Sequence, residues 1–179
     1  MTEEAPKESR ANKLRREFDR TFASPPVPTS EEWEDLLLVR IAGDPYAIRM
    51  RDIMGILAKR TIIPVPAEAP GLLGLVGIRG EIVPVFGLSS WLGYGVDADS
   101  AVWMIVCGTD EPIGFGFSEF EGHKRLEKSA IHLYDKSQSP RQYIHEMAAI
   151  EAGVRPVIAV SLVVASIRSR RAPQRPEKE

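Results

Sequence analysis

A chain of 179 residues with 25 acidic and 23 basic side chains carries a formal charge of −2, so no cationic field points to nucleic acid or to a membrane surface. Its one cysteine, Cys107, excludes an internal disulfide and fits a reducing compartment. The polar start lacks the apolar core of a signal peptide, and no apolar run approaches the roughly 18 residues of a membrane helix. The expectation is a soluble cytoplasmic protein without direct membrane insertion, large enough for one domain or two small lobes sharing a core.

Residues 1–10 are polar and expected to be disordered. Between 11 and 23, Leu14, Phe18 and Phe22 recur at i, i+4 and i+8, with Lys13, Arg15, Arg16, Glu17, Asp19 and Arg20 around them. That spacing predicts a short amphipathic helix with one narrow aromatic stripe, which can dock on its own domain, enter a partner's groove or fray. Pro25, Pro26 and Pro28 then break any helix. Residues 1–30 are therefore read as a tail with a proline-rich linker, ahead of a domain at 31–168.

From Leu36 the pattern is one of short strands. Strands are predicted at 36–42 and 46–48 with a turn at 43–45, a helical turn within 50–57 and a further strand at 61–65. Residues 71–88 follow, with Gly71, Gly74, Gly77 and Gly80 three residues apart. Glycine at this spacing marks backbone that bends sharply or lies close to other backbone. In that stretch Arg79 is the only cation and Glu81 the only anion, and the β-branched run 82–86 contains Pro84. An arginine in such an apolar frame is well placed to meet a partner.

The second half repeats the style. Hairpins are predicted from 101–107 with 112–117 and from 143–150 with 154–160, separated by a strand at 120–126 and a polar loop near 137–141. A closing helix at 161–167 with Ser161 as its cap precedes a loose tail, with 169–179 expected to be disordered. Many short strands with frequent turns indicate small barrels rather than a parallel sheet.

No catalytic constellation emerges. The glycine spacing is neither a dinucleotide fingerprint nor a phosphate loop ending in Lys-Ser or Lys-Thr. His123, His132 and His145 lack a ligand partner at metal spacing, and Cys107 sits in an apolar strand as a buried hydrophobe. No serine lies in a nucleophile elbow. A non-enzyme without metal or cofactor is expected, and Trp33, Trp91 and Trp103 are read as packing residues.

These residues resemble a known family. Leu37-Leu-Val-Arg-Ile-Ala-Gly-Asp-Pro-Tyr-Ala-Ile48 is similar to the first strand pair of the CheW-like domain, the coupling module of bacterial chemotaxis. Gly74-Leu-Val-Gly-Ile-Arg-Gly-Glu-Ile-Val-Pro-Val-Phe-Gly-Leu88 resembles its hallmark, an Asn-Leu-Arg-Gly segment followed by Pro-Val and Asp-Leu. Ile113-Gly-Phe-Gly-Phe-Ser118 and Arg155-Pro-Val-Ile-Ala-Val-Ser-Leu162 are similar more loosely. Gly77 stands where the family has asparagine, Gly87, Ser118 and Ser161 where it has aspartate, and Gly55 where it has glutamate. The chain is thus a divergent member of that pattern.

The resemblance implies a mainly β fold of two intertwined SH3-like five-stranded barrels with short helices. It implies a non-enzymatic adaptor that couples methyl-accepting chemoreceptor tips to the regulatory domain of a CheA-type histidine kinase, in the cytoplasm at membrane-associated arrays. Carried over residue by residue, the receptor groove would use Ile53, Gly55, Ile56 and Arg79 between the lobes, with Leu14, Phe18 and Phe22 as a further partner-binding stripe. The rival reading is a regulatory barrel outside chemotaxis that senses a small ligand between its lobes.

Overall fold

The computed structural model describes residues 32–66, 69–95, 101–108, 110–134 and 142–171. Leu14, Phe18 and Phe22, the linker at 24–30, the loop at 137–141 and residues 172–179 lie outside the described residues. Within them run β1 (Trp33–Ile41), β2 (Asp44–Arg49), β3 (Gly55–Ala58), β4 (Leu72–Ile78), β5 (Glu81–Gly87) and a short helix α1 (Leu88–Trp91). There follow β6 (Trp103–Cys107), β7 (Ile113–Phe117), β8 (Glu119–Glu127), β9 (Ile131–Leu133), β10 (Ile144–Ile150), β11 (Gly153–Ile158) and α2 (Val160–Arg171).

The strands form two sheets, β8-β1-β2-β11-β10-β9 and β3-β6-β7-β5-β4. The middle of the chain builds the second sheet and its two flanks build the first, which interlocks them. Each sheet contains one parallel pair, β2 with β11 and β5 with β7. The fold is mainly β, as expected from the sequence. The flanking sheet has six strands rather than five because the three-residue β9 adds an edge beside β10.

Side-chain alternation explains why both sheets share a core. On β1, Leu37, Val39 and Ile41 face the cluster common to the two sheets, whereas Leu36 faces the small core of its own sheet. On β7, Ile113, Phe115 and Phe117 enter the shared cluster. The intervening glycines lie against the five-stranded sheet's own core. A Cβ at Gly114 would sit 2.8 Å from Met104 Sδ, and one at Gly116 would sit 3.1 Å from Leu73 Cδ1. Full burial of each large side chain contributes about 1.5–3 kcal/mol, so this doubled use of one strand stabilises both cores.

Several boundaries differ from expectation for local reasons. The first hairpin turns on Ala42 and Gly43, both at positive φ, so Asp44 and Pro45 already belong to β2. The helical turn is confined to Met50–Asp52, and β3 takes residues 55–58. Residues 61–65 form no strand: Ile63 makes one bridge to Leu75, and Pro64 supplies no N–H to continue the ladder. The last helix begins at Val160, not Ser161, because Val160, Val163 and Ile167 all bury one face. It runs to Arg171, into the expected tail. There Arg168 donates to the Glu111 carbonyl at 3.1 Å, and the Arg170 guanidinium lies 5.1 Å from the Trp91 ring centre. Trp91 and Trp103 pack against the shared core, and Trp33 lies under Arg125.

Candidate functional site

Arg79 and Gly80 are the two central residues of the β4–β5 turn, at φ +51° and +89°. Two positive φ values are what a tight hairpin of right-handed twist requires, and asparagine, aspartate or glycine usually fills the first position. An arginine there costs on the order of 1 kcal/mol in backbone strain. The turn therefore holds an exposed guanidinium in a conformation that local preference does not favour.

Beside it is a cavity of about 310 Å³ lined by Met54, Gly55, Leu57, Ile78, Arg79, Glu81, Val83, Val106 and Pro112. β3 and β4 are the two outer strands of the five-stranded sheet, yet both contribute to this wall, so the sheet curls until its edges meet. Gly55 and Leu57 are two apart on β3 and face the cavity. Ile56 points the other way and packs with Ile53 on the shared core. The structure thus brings Gly55 and Arg79 to one cavity, whereas Ile53 and Ile56 do not line it and pack on the shared core. The cavity that Gly55 and Arg79 share lies at the mouth of the curled five-stranded sheet, because residues 55–58 alternate as a strand. Met54 joins this wall, which spacing alone did not indicate; its backbone N–H donates to the Val106 carbonyl at 2.7 Å.

The approach to β3 is held by charge. The Glu34 carboxylate, 6% exposed as a residue, accepts from Arg49 at 3.1 Å and lies 3.3 Å from Arg51. Arg49 also reaches Glu146 at 2.6 Å, which ties β1, β2 and β10 to the Met50–Asp52 turn. Burial pushes the Asp52 carboxyl up, against the opposing pull of Arg51 and Arg49. Burial, with the Asp52 charge adding to it, pushes the Cys107 thiol up to about 12.

The remaining candidates have structural surroundings. Ser118 donates to the Arg40 carbonyl at 2.9 Å, and His123 sits 2.8 Å from Asp35. No group of three or more His, Cys, Asp or Glu side chains is placed to hold a metal among the described residues, and none of the described helices is long and apolar enough to cross a membrane. Gly77 is exposed in β4, and Gly87 ends β5 in contact range of Leu73.

Two interlocked curled sheets, with a strained arginine standing over an apolar cavity, make a β-rich surface suited to protein docking. The CheW-like domain family matches residues 35–168, and the chain belongs to it. It is 28% identical over 104 residues to the chemotaxis protein CheW of Thermotoga maritima, covering 58% of this chain and 69% of that protein. The crystal structure of the scaffolding protein TtCheW from Thermoanaerobacter tengcongensis is similar with a TM-score of 0.58 at 16% identity, over 70% of this chain and 88% of that one. At that identity the likeness speaks for the fold.

Proposed function

We propose that this chain is a non-enzymatic adaptor of a chemotaxis-type signalling system. It would couple the cytoplasmic tip of a methyl-accepting chemoreceptor to the regulatory domain of a CheA-type histidine kinase, in the cytoplasm beside the receptor array. The observation that carries this reading is membership of the CheW-like domain family across residues 35–168. The strained Arg79 beside its apolar cavity supports it, because strain held at an exposed position is a mark of functional sites. In this reading Arg79 is the anchor, Gly55 shares its wall, Ile53 and Ile56 are further receptor contacts as the family resemblance implies, and Leu14, Phe18 and Phe22 offer a second contact. The test is titration of the purified chain with a receptor-tip fragment and, separately, with the kinase regulatory domain. Binding to each, and recovery of a ternary complex, is expected. Binding to neither overturns the adaptor; a small-molecule screen that then raises the melting temperature favours the ligand-sensing barrel.

A further inference from the structure

Arg79 is a cation for which the described residues supply no counter-charge. Among the described residues, Arg40, Arg49, Arg51, Arg155 and Arg168 approach carboxylates. Arg125 and Arg170 lie over indole rings. Arg79 has neither kind of partner, and Glu81, two residues on, shares its cavity without forming an ion pair with it. Arg60 is also free but lies on an exposed loop. Apart from Glu81, the side chains that share the cavity with Arg79 are apolar: Met54, Leu57, Ile78, Val83 and Val106 among them.

Gly55 opens the facing wall. A Cβ there would meet nothing within 4 Å among the described residues, so this part of the cavity wall is open. The backbone does not require glycine at this position, since its φ is not positive. The absence of a side chain is therefore a matter of room and not of conformation.

We propose that this cavity selects a partner segment presenting one carboxylate among apolar side chains. The apolar groups seat against Met54, Leu57 and Ile78, and the carboxylate passes the opening at Gly55 to accept two parallel hydrogen bonds from Arg79. A planar guanidinium suits that role, and an apolar setting strengthens the pair relative to open water. Gly55 then acts as the specificity determinant: an acid in its place would satisfy Arg79 within the chain and shut the partner's carboxylate out. This inference rests on the adaptor reading, whose receptor-side partner it describes.

The test is a calorimetric titration with a receptor-tip fragment in which each Glu and Asp is changed in turn to its amide. It is run against wild type, Arg79→Gln, Gly55→Glu and Gly55→Ala, with the melting temperature of every variant recorded. One amide substitution should weaken binding to wild type about tenfold and leave Arg79→Gln binding unchanged. Gly55→Glu should lose about tenfold against the unaltered fragment, and Gly55→Ala should stay within about twofold of wild type. A fragment that binds wild type without any acid coupling to Arg79, or that binds a folded Gly55→Glu as tightly as wild type, overturns the inference alone. A Gly55→Glu variant that does not fold leaves the Arg79→Gln cycle to decide. Failure of wild type to bind any receptor tip overturns the adaptor reading and this inference with it.

Discussion

Gly55 opens β3 and Arg79 heads the β4–β5 turn, yet both line one cavity of about 310 Å³. Their meeting comes from closure of the five-stranded sheet, whose outer strands are β3 and β4. A glycine without a conformational need and an arginine in a disfavoured conformation thus face the same opening.

Arg79→Asn separates stability from binding. Asparagine tolerates left-handed backbone, so relief of strain should stabilise the fold by about 1 kcal/mol and raise Tm by about 3 °C. If Arg79 is the anchor proposed above, affinity for the receptor tip should fall about tenfold or more. Differential scanning fluorimetry and calorimetric titration measure the two quantities. A variant that gains stability and binds unchanged would remove Arg79 from the site.

Gly74 is the glycine of the series that the fold cannot replace. Its φ is +147°, and a Cβ would stand 2.2 Å from the Ile63 carbonyl oxygen, where β4 meets the 61–65 segment. That contact is with backbone, so relief requires breaking the Ile63–Leu75 bridge and its two 2.8 Å hydrogen bonds. Gly74→Ala should cost about 3 kcal/mol, lowering Tm by about 10 °C. Gly80→Ala has open space and meets only the strain of its φ of +89°, so it should cost about 1 kcal/mol. Equal melting temperatures for the two variants would refute this ordering.

Much of this was legible in the sequence because it is local. The alternation Ile113-Gly-Phe-Gly-Phe117 states which side of β7 is crowded, and Arg79 stands out as the one cation between glycines. What was not legible depends on distant strands meeting. Residues 61–65 carry strand propensity, but Pro64 and the close pass over Gly74 limit them to one bridge. That Ile53 and Ile56 face inward was legible from their apolar character, but that Gly55 and Leu57 line a cavity with Arg79 depends on 55–58 forming a strand at the sheet's edge. The Glu34–Arg49–Glu146 network spans 113 positions of sequence and exists only because β1, β2 and β10 share a sheet.

Cys107 should be silent toward thiol reagents while the chain is folded. It is 2% exposed, and burial followed by the Asp52 charge moves its thiol up to about 12, so almost no thiolate exists near neutral pH. Labelling by a chromogenic disulfide should proceed only as fast as the protein opens, and should be complete in denaturant. Rapid labelling under native conditions would contradict the assigned burial.

Removal of residues 1–30 tests the stripe that the spacing of Leu14, Phe18 and Phe22 predicts. As a partner contact it should be dispensable for folding of the domain but not for its complexes. Tm should therefore stay within about 2 °C of the full chain, while affinity for receptor tip or kinase regulatory domain falls several-fold. Unchanged affinity would make the segment a passive tail.

Glu121 gives the fold an acid-sensitive clasp. Its carboxylate is approached at 2.5 Å by Arg40 of β1 and at 2.5 Å by Arg155 of β11, and it belongs to β8. Desolvation pushes this carboxyl up, but the Arg155 and then the Arg40 guanidinium outweigh it and hold it below its usual range. A carboxyl depressed in the folded state contributes stability that is present above its unfolded value of about 4.3 and is lost as pH falls through the lower folded value. Glu121→Gln should therefore lower Tm at pH 7, where Arg155, itself 9% exposed, is left without its counter-charge. Below about pH 4 the gap between variant and wild type should narrow, because protonation makes the wild-type side chain neutral as well. A gap that stays constant from pH 7 to pH 3 would mean that the carboxylate's charge contributes nothing to the clasp.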